Sequence, residues 1–165
     1  MASVQPPNPT YSPKIPKKII EDGTLSEAQI EQVVYAGQAH EQMLGNGERK
    51  GYFIGDGTGV GKGREISGII LDNFNNGRRK AVWISEKSKL FYDAKRDLTP
   101  FGLADEAFTL ESKNLKRFGA RSHGVAFTTY DSLATYHAGI SPSGEIVADP
   151  KAVGGSRFQR LVEWL

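Results

Sequence analysis

The residues best suited to chemistry lie between positions 51 and 63, in the run Gly55-Asp56-Gly57-Thr58-Gly59-Val60-Gly61-Lys62-Gly63. Six glycines fall in this stretch, where an even spread of the chain's 19 would put about 1.5. Glycine removes the Cβ that would hold a ligand away from the main chain, and it lets successive amides turn toward one anion. Lys62 adds a compact positive charge. This combination suits a polyphosphate, and we expect a nucleoside triphosphate, ATP above all, held by Asp56, Gly57, Thr58, Gly59, Val60, Gly61, Lys62, Gly63 and Arg64. Lys62 is the expected catalytic side chain. Against the Walker A pattern G-x-x-x-x-G-K-[ST], Gly61 and Lys62 match, Asp56 stands at the first glycine and Gly63 replaces the terminal hydroxyl residue. That hydroxyl normally joins the Mg²⁺ shell, so Mg²⁺ is expected to be weakly or indirectly held, with water, Thr58 or a distant acid in its place. The competing reading is a glycine-rich turn that only lets a strand and a helix pack closely.

The elements around the loop fit a phosphate site. Gly51-Tyr52-Phe53-Ile54 is short, aromatic and apolar and predicts a strand before the loop. After it, Ile66, Ile69, Ile70 and Phe74 predict an amphipathic helix, whose free amides and dipole favour anions at its start. Upstream, Thr24-Leu25-Ser26-Glu27 fits a capping box. The helix it opens carries Leu25, Ala28, Val33, Ala36, Ala39 and Met43 down to a stop at Gly45-Asn46-Gly47. Downstream, Ala81-Val82-Trp83-Ile84 reads as a strand buried on both faces. A helix over 87–98 ends at Pro100 and Gly102, and Phe108-Thr109-Leu110 and 124–130 are further strands. Residues 141–156 read as a surface loop, and 157–165 as a helix with Phe158, Leu161, Val162 and Leu165 on one side. Alternating strands and helices predict an α/β domain with ligands at the carboxyl ends of its strands.

Composition narrows the class. The chain has 165 residues, 38% hydrophobic and 24% charged, as in ordinary globular domains. Its 21 basic and 19 acidic residues leave a net charge of +2, too small to argue for nucleic acid by itself. Without cysteine there are no disulfides or thiolate metal sites. No ligand set for a metal stands out, and His40 reads as a helix-surface or packing residue. Lacking an apolar run of roughly 18 residues, the sequence predicts no membrane partner and a cytoplasmic location, or a nuclear one in a eukaryote. Five of the eight prolines lie within residues 1–23, which predicts an extended arm lying across a domain formed by residues 24–165.

Four segments together resemble one family: Leu25-Ser26-x-x-Gln29, Tyr35-Ala36-x-Gln38-x-His40-Glu41, Gly55 through Arg64, and Lys80-Ala81-Val82-Trp83-Ile84-Ser85. They look like the strawberry notch family of superfamily two helicase-like ATPases, and the Gly63-Arg64 ending is the form that family has. The resemblance implies a P-loop NTPase with a RecA-like parallel sheet flanked by helices, here an incomplete first lobe of a DNA-dependent motor. It makes Gln29 the Q-motif residue that reads the adenine edge, where the bare sequence equally allows a solvent-facing helix residue. It also sets Ser85 and Lys87 at the motif Ia position, and Thr128 and Thr129 at a threonine motif, both contacting the phosphates of DNA. Hydroxyls that cap the next helix are the equal alternative.

Hydrolysis by this class needs an acid at the end of a neighbouring strand and an arginine from a second lobe. No apolar strand of this sequence ends in Asp-Glu, and the resemblance places that box beyond Leu165. The expectation is an ATP-binding part of a helicase-like ATPase, inactive in turnover by itself. The alternative is a stand-alone regulatory module that binds nucleotide without hydrolysing it.

Overall fold

Residues 7–110, 121–134, 138–140, 146–148 and 157–165 are described by the computed structural model. Two compact units result, Met1–Arg78 with Arg96–Ala104, and Arg79–Lys95 with Asp105–Leu165.

In the first unit, a short helix α1 (Lys17–Glu21) precedes α2 (Glu27–His40) and α3 (Lys62–Asn75). The capping box of α2 sits two residues later than expected. Ser26, not Thr24, is the N-cap, and Gln29 supplies the reciprocal side chain. The later frame leaves Leu25 before the cap and 2% exposed. α2 and α3 approach closely because Gly68 offers no side chain there: a Cβ would lie 2.9 Å from Val33 and 3.2 Å from Leu25. Val33, Ala36, Ile70, Leu71 and Phe74 bury the seam. α2 stops at His40, so Met43 lies outside it, exposed, in a bridge to Arg49. The end of α3 is a Schellman turn, with Gly77 at φ 86° and the Arg78 amide donating to the Asn73 carbonyl.

The proline-rich arm is bound rather than free. From residue 7 to Pro16 it has no regular structure, and it crosses both helices. The Tyr11 hydroxyl donates to Asp72 Oδ2 (2.8 Å), the Lys14 amide donates to Asp72 Oδ1 (2.7 Å), and the Thr10 amide donates to Gln38. The arm is not extended throughout, because the prolines end at residue 16 and α1 begins there. Residues 1–6 lie outside the described chain.

In the second unit, β1 (Lys80–Ser85), β2 (Ala107–Thr109) and β3 (Gly124–Thr129) form a parallel sheet in the order β1-β3-β2. This is the α/β arrangement expected, with β3 buried throughout. β1 is only half-buried, with Ile84 40% exposed, because it is an edge strand of the described sheet and not a central one. Gly124 has φ 135°, and a Cβ there would meet the Glu106 carbonyl oxygen at 2.8 Å, so only glycine admits β2 beside β3. A 3-10 turn (Ser88–Leu90) leads into α4 (Phe91–Leu98), close to the predicted helix.

After β3 come α5 (Tyr130–Ala134), the antiparallel pair β4 (Ala138–Ile140) and β5 (Ile146–Ala148), and α6 (Arg157–Trp164). β5 interrupts the loop expected over 141–156, whose remaining residues lie outside the described chain. On α6 Leu161 and Trp164 are buried, while Phe158, Val162 and, just past the helix, Leu165 are exposed. Trp164 sets that face: its ring meets Phe108 edge-on at 5.7 Å and its indole N–H donates to the Arg121 carbonyl.

Candidate nucleotide-binding site

The glycine-rich loop is held from below by α2. Gln29 and Gln32 lie one turn apart on the same helix face. Gln29 Nε2 donates to the Val60 carbonyl (2.9 Å) and Gln32 Nε2 reaches Asp56 Oδ1 (3.4 Å). Tyr52 reinforces the second anchor, its hydroxyl donating to Gln32 Oε1 at 2.6 Å. Gln29 is 7% exposed, which excludes the solvent-facing reading. Its carbonyl oxygen accepts from the Ser26 amide, so one side chain closes the helix cap and fastens the loop. Gln32 was not singled out in the sequence; its i, i+3 spacing from Gln29 was the available signal.

Residues 51–54 form no strand among the described residues. Their exposure alternates with period two, as a strand's would, but no described strand pairs with them. Pairing, not propensity, makes a strand.

In the loop itself, Gly59 and Gly61 take φ of 89° and 94°, in the left-handed region that side chains resist. Gly61 caps α3, and a Cβ there would come within 2.5 Å of Gln29 Nε2. Among the described residues, the amides from Asp56 to Lys62 donate to no protein acceptor. Amides not already bonded within the protein are one requirement for anion binding. Lys62 begins α3, and its ammonium donates to the carbonyls of Asp56 (3.0 Å) and Gly57 (2.8 Å), lying across the loop. Arg64, expected at the phosphates, donates instead to the Thr24 carbonyl at 2.9 Å.

Two acids stand close to this cradle. Glu65, in the first turn of α3, is 0% exposed, and neither carboxylate oxygen has a hydrogen-bond partner. Burial pushes its titration above the usual carboxylate range, the neighbouring Asp56 adds to this and Lys62 opposes it. Asp97, near the end of α4, lies against Gly63: a Cβ at position 63 would fall 1.9 Å from Asp97 Oδ2. No group of three or more His, Asp or Glu among the described residues is arranged to hold a metal by itself.

The residues expected to meet DNA are in the second unit. Parallel register sets Ser85 beside Thr129 at the carboxyl ends of β1 and β3. Lys87 is exposed, 3.7 Å from the Glu86 carboxylate. Thr129 is 6% exposed and caps α5, its Oγ1 accepting from the Ser132 amide. Thr128 is 4% exposed, and its hydroxyl has no partner among the described residues.

Comparison with known proteins agrees with this geometry. The family model described as P-loop containing NTP hydrolase pore-1 matches residues 1–165. Protein FORGETTER 1 of Arabidopsis thaliana is 43% identical over 99% of the chain, which covers 12% of that protein. Protein strawberry notch homolog 1 of Gallus gallus is 44% identical, with 99% and 13% covered, and Protein strawberry notch of Drosophila melanogaster is 38% identical, with 99% and 10% covered. The chain thus spans a small part of the curated relatives it matches. No solved structure matches it. No helix among the described residues is long and apolar enough to cross a membrane.

Proposed function

Because the chain belongs to the P-loop containing NTP hydrolase pore-1 family and is similar to strawberry notch proteins throughout its length, we propose that it is the ATP-binding part of a DNA-dependent, helicase-like ATPase. The observation that carries this reading is the loop Asp56–Lys62, with unbonded amides at the amino end of α3 and one ammonium lying across them. The triphosphate displaces Lys62 from the loop carbonyls and takes its charge. Main-chain amides of Gly57, Thr58, Gly59, Val60 and Gly61 complete the cradle.

Gln29 supports the choice of adenine. A primary amide offers two donors and two acceptor lone pairs. One of each is committed to Val60 and Ser26, leaving one donor and one acceptor, the pair that an adenine edge requires. In the second unit, Ser85 and Lys87 are accessible for a DNA phosphate. Thr129, whose hydroxyl is committed to Ser132, acts by holding the start of α5, and Thr128 is the deeper of the two threonines. Contacts of this kind position a nucleic-acid strand without reading its bases.

Mg²⁺ accompanies the nucleotide and, when bound, neutralises the charge between its phosphates. The cradle fits a metal held mainly through phosphate and water, since the described residues offer single carboxylates near α3 and no group of three or more ligands. Among the described residues no strand ends in an Asp-Glu pair, and what we propose for them is nucleotide binding rather than turnover. Isothermal calorimetry tests the reading. ATP should release heat with the protein, and Lys62→Ala should lower the affinity about tenfold or more, the loss expected for a charge-assisted contact. No heat with ATP, or equal heat for the variant, rejects it.

A further inference from the structure

We infer that the face of α2 around Gln38 is a docking groove for a proline-rich segment of another polypeptide, and that the chain's own amino-terminal arm keeps its place.

The arm already lies there as such a ligand would. Gln38 grips its main chain twice: the side-chain oxygen accepts from the Thr10 amide (2.7 Å), and Nε2 donates to the Asn8 carbonyl (3.2 Å). The two bonds straddle Pro9, a residue with no amide to satisfy, so the fork suits an x-Pro-x segment and asks nothing of the side chains on either side. Prolines at 7, 9, 13 and 16 fix φ and push the residues before them into extended backbone. Pro16, with φ −55° and ψ 134°, lies in the polyproline II region. A segment this stiff loses little freedom on docking. Its anchor is Tyr11, whose ring packs against Gly37 of the same helix and whose hydroxyl donates to Asp72.

The arm does not fill the groove. Beside Pro7 a recess of about 250 Å³ stays open, lined by Tyr35, Tyr52 and Phe53 together with the polar Gln42 and Lys50. Phe53 is 87% exposed. An aromatic-lined hollow next to a side chain that bonds the ligand's main chain is a recurring way of recognising proline-rich segments. The competing role is structural, an arm that only braces α2 and α3, and such a brace has no use for an open aromatic recess. A second copy's arm would bring the same proline to the same place and leave the recess as it is. A segment with a larger apolar side chain at the position of Pro7 would fill it, which points to a foreign partner. Tethering gives the resident arm an effective concentration in the millimolar range, so the partner needs that better fit to displace it.

The experiment is fluorescence polarisation with the full chain and three labelled synthetic peptides. The first is the arm sequence 5–16, the second carries Pro7→Leu, and the third adds Pro9→Ala and Pro13→Ala to the second. The leucine peptide should bind about tenfold more tightly than the arm peptide, the gain expected for burying one aliphatic side chain. Tyr11→Ala in the protein loosens the resident arm and should tighten binding of the leucine peptide about tenfold or more. In that background, Gln38→Ala and Phe53→Ser should each weaken it about tenfold; Phe53 is a surface position, so its replacement leaves the fold intact. The assignment is overturned if the leucine peptide does not bind the Tyr11→Ala protein, if the alanine-substituted peptide binds as tightly, or if both further variants bind unchanged. An arm peptide that binds as tightly as the leucine peptide overturns the foreign partner, and sedimentation of the parent as a dimer would then name a second copy's arm as the occupant.

Discussion

Glu65 has an environment that folding alone would not favour. A carboxylate with no exposed surface and no hydrogen-bond partner forgoes its hydration, and the attraction of Lys62 offsets only part of that loss. Burial and Asp56 raise its titration, and the sign of the linkage follows. A carboxyl raised in the folded state contributes stability below the ordinary carboxylate range, and this is lost as pH climbs through the folded value. Glu65→Gln keeps the shape and removes the charge. At about pH 8 it is expected to raise the free energy of unfolding by about 1–2 kcal/mol, a gain that shrinks toward about pH 4, where the parent is protonated too. Urea denaturation at the two pH values checks this, and a loss of stability in alkaline medium would contradict it.

Among the elements, α2 does two jobs with one side chain. Ser26 and Gln29 share the capping box, while Gln29 alone reaches Val60. Ser26→Ala and Gln29→Ala should each cost about 1 kcal/mol in thermal unfolding, the ordinary worth of a cap. Only Gln29→Ala should also weaken ATP binding, because only that change frees the loop; equal affinities for the two variants would separate the cap from the site. The sequence carried enough to place this helix, the loop, α3 and the strands β1 and β3, since each is marked by apolar periodicity or by glycine at a turn. It fixed the helix start two residues early because Thr24 and Ser26 are both competent caps, and burial of Leu25 decides between them. Residues 51–54 read as a strand because propensity is local and pairing is not. Asp97 was invisible for a similar reason: its meeting with Gly63 spans 34 positions. Thr129 and Thr128 were assigned to DNA by resemblance, whereas their burial and the cap on α5 follow from packing that no motif encodes.

At the scale of the chain, the amino-terminal arm is part of the first unit's architecture. Asp72, 1% exposed, accepts from Tyr11 and from the Lys14 amide, and Gly37 leaves room for the Tyr11 ring, whose Cε1 would be 2.1 Å from a Cβ there. Gly37→Ala is expected to push Tyr11 out and detach the arm without breaking α2, since alanine favours helix. Limited proteolysis should then cut between residues 8 and 16 faster than in the parent; unchanged protection would mean that the arm is held elsewhere.

Asp72 and the phosphate cradle belong to the same helix. α3 runs 14 residues, about 20 Å at 1.5 Å per residue. One end faces the loop and Asp97, and its last turns are strapped by Tyr11 and Lys14. A rod clamped at both tips has little room to shift, so the arm's buckle at Asp72 helps fix where the first turn of α3 stands.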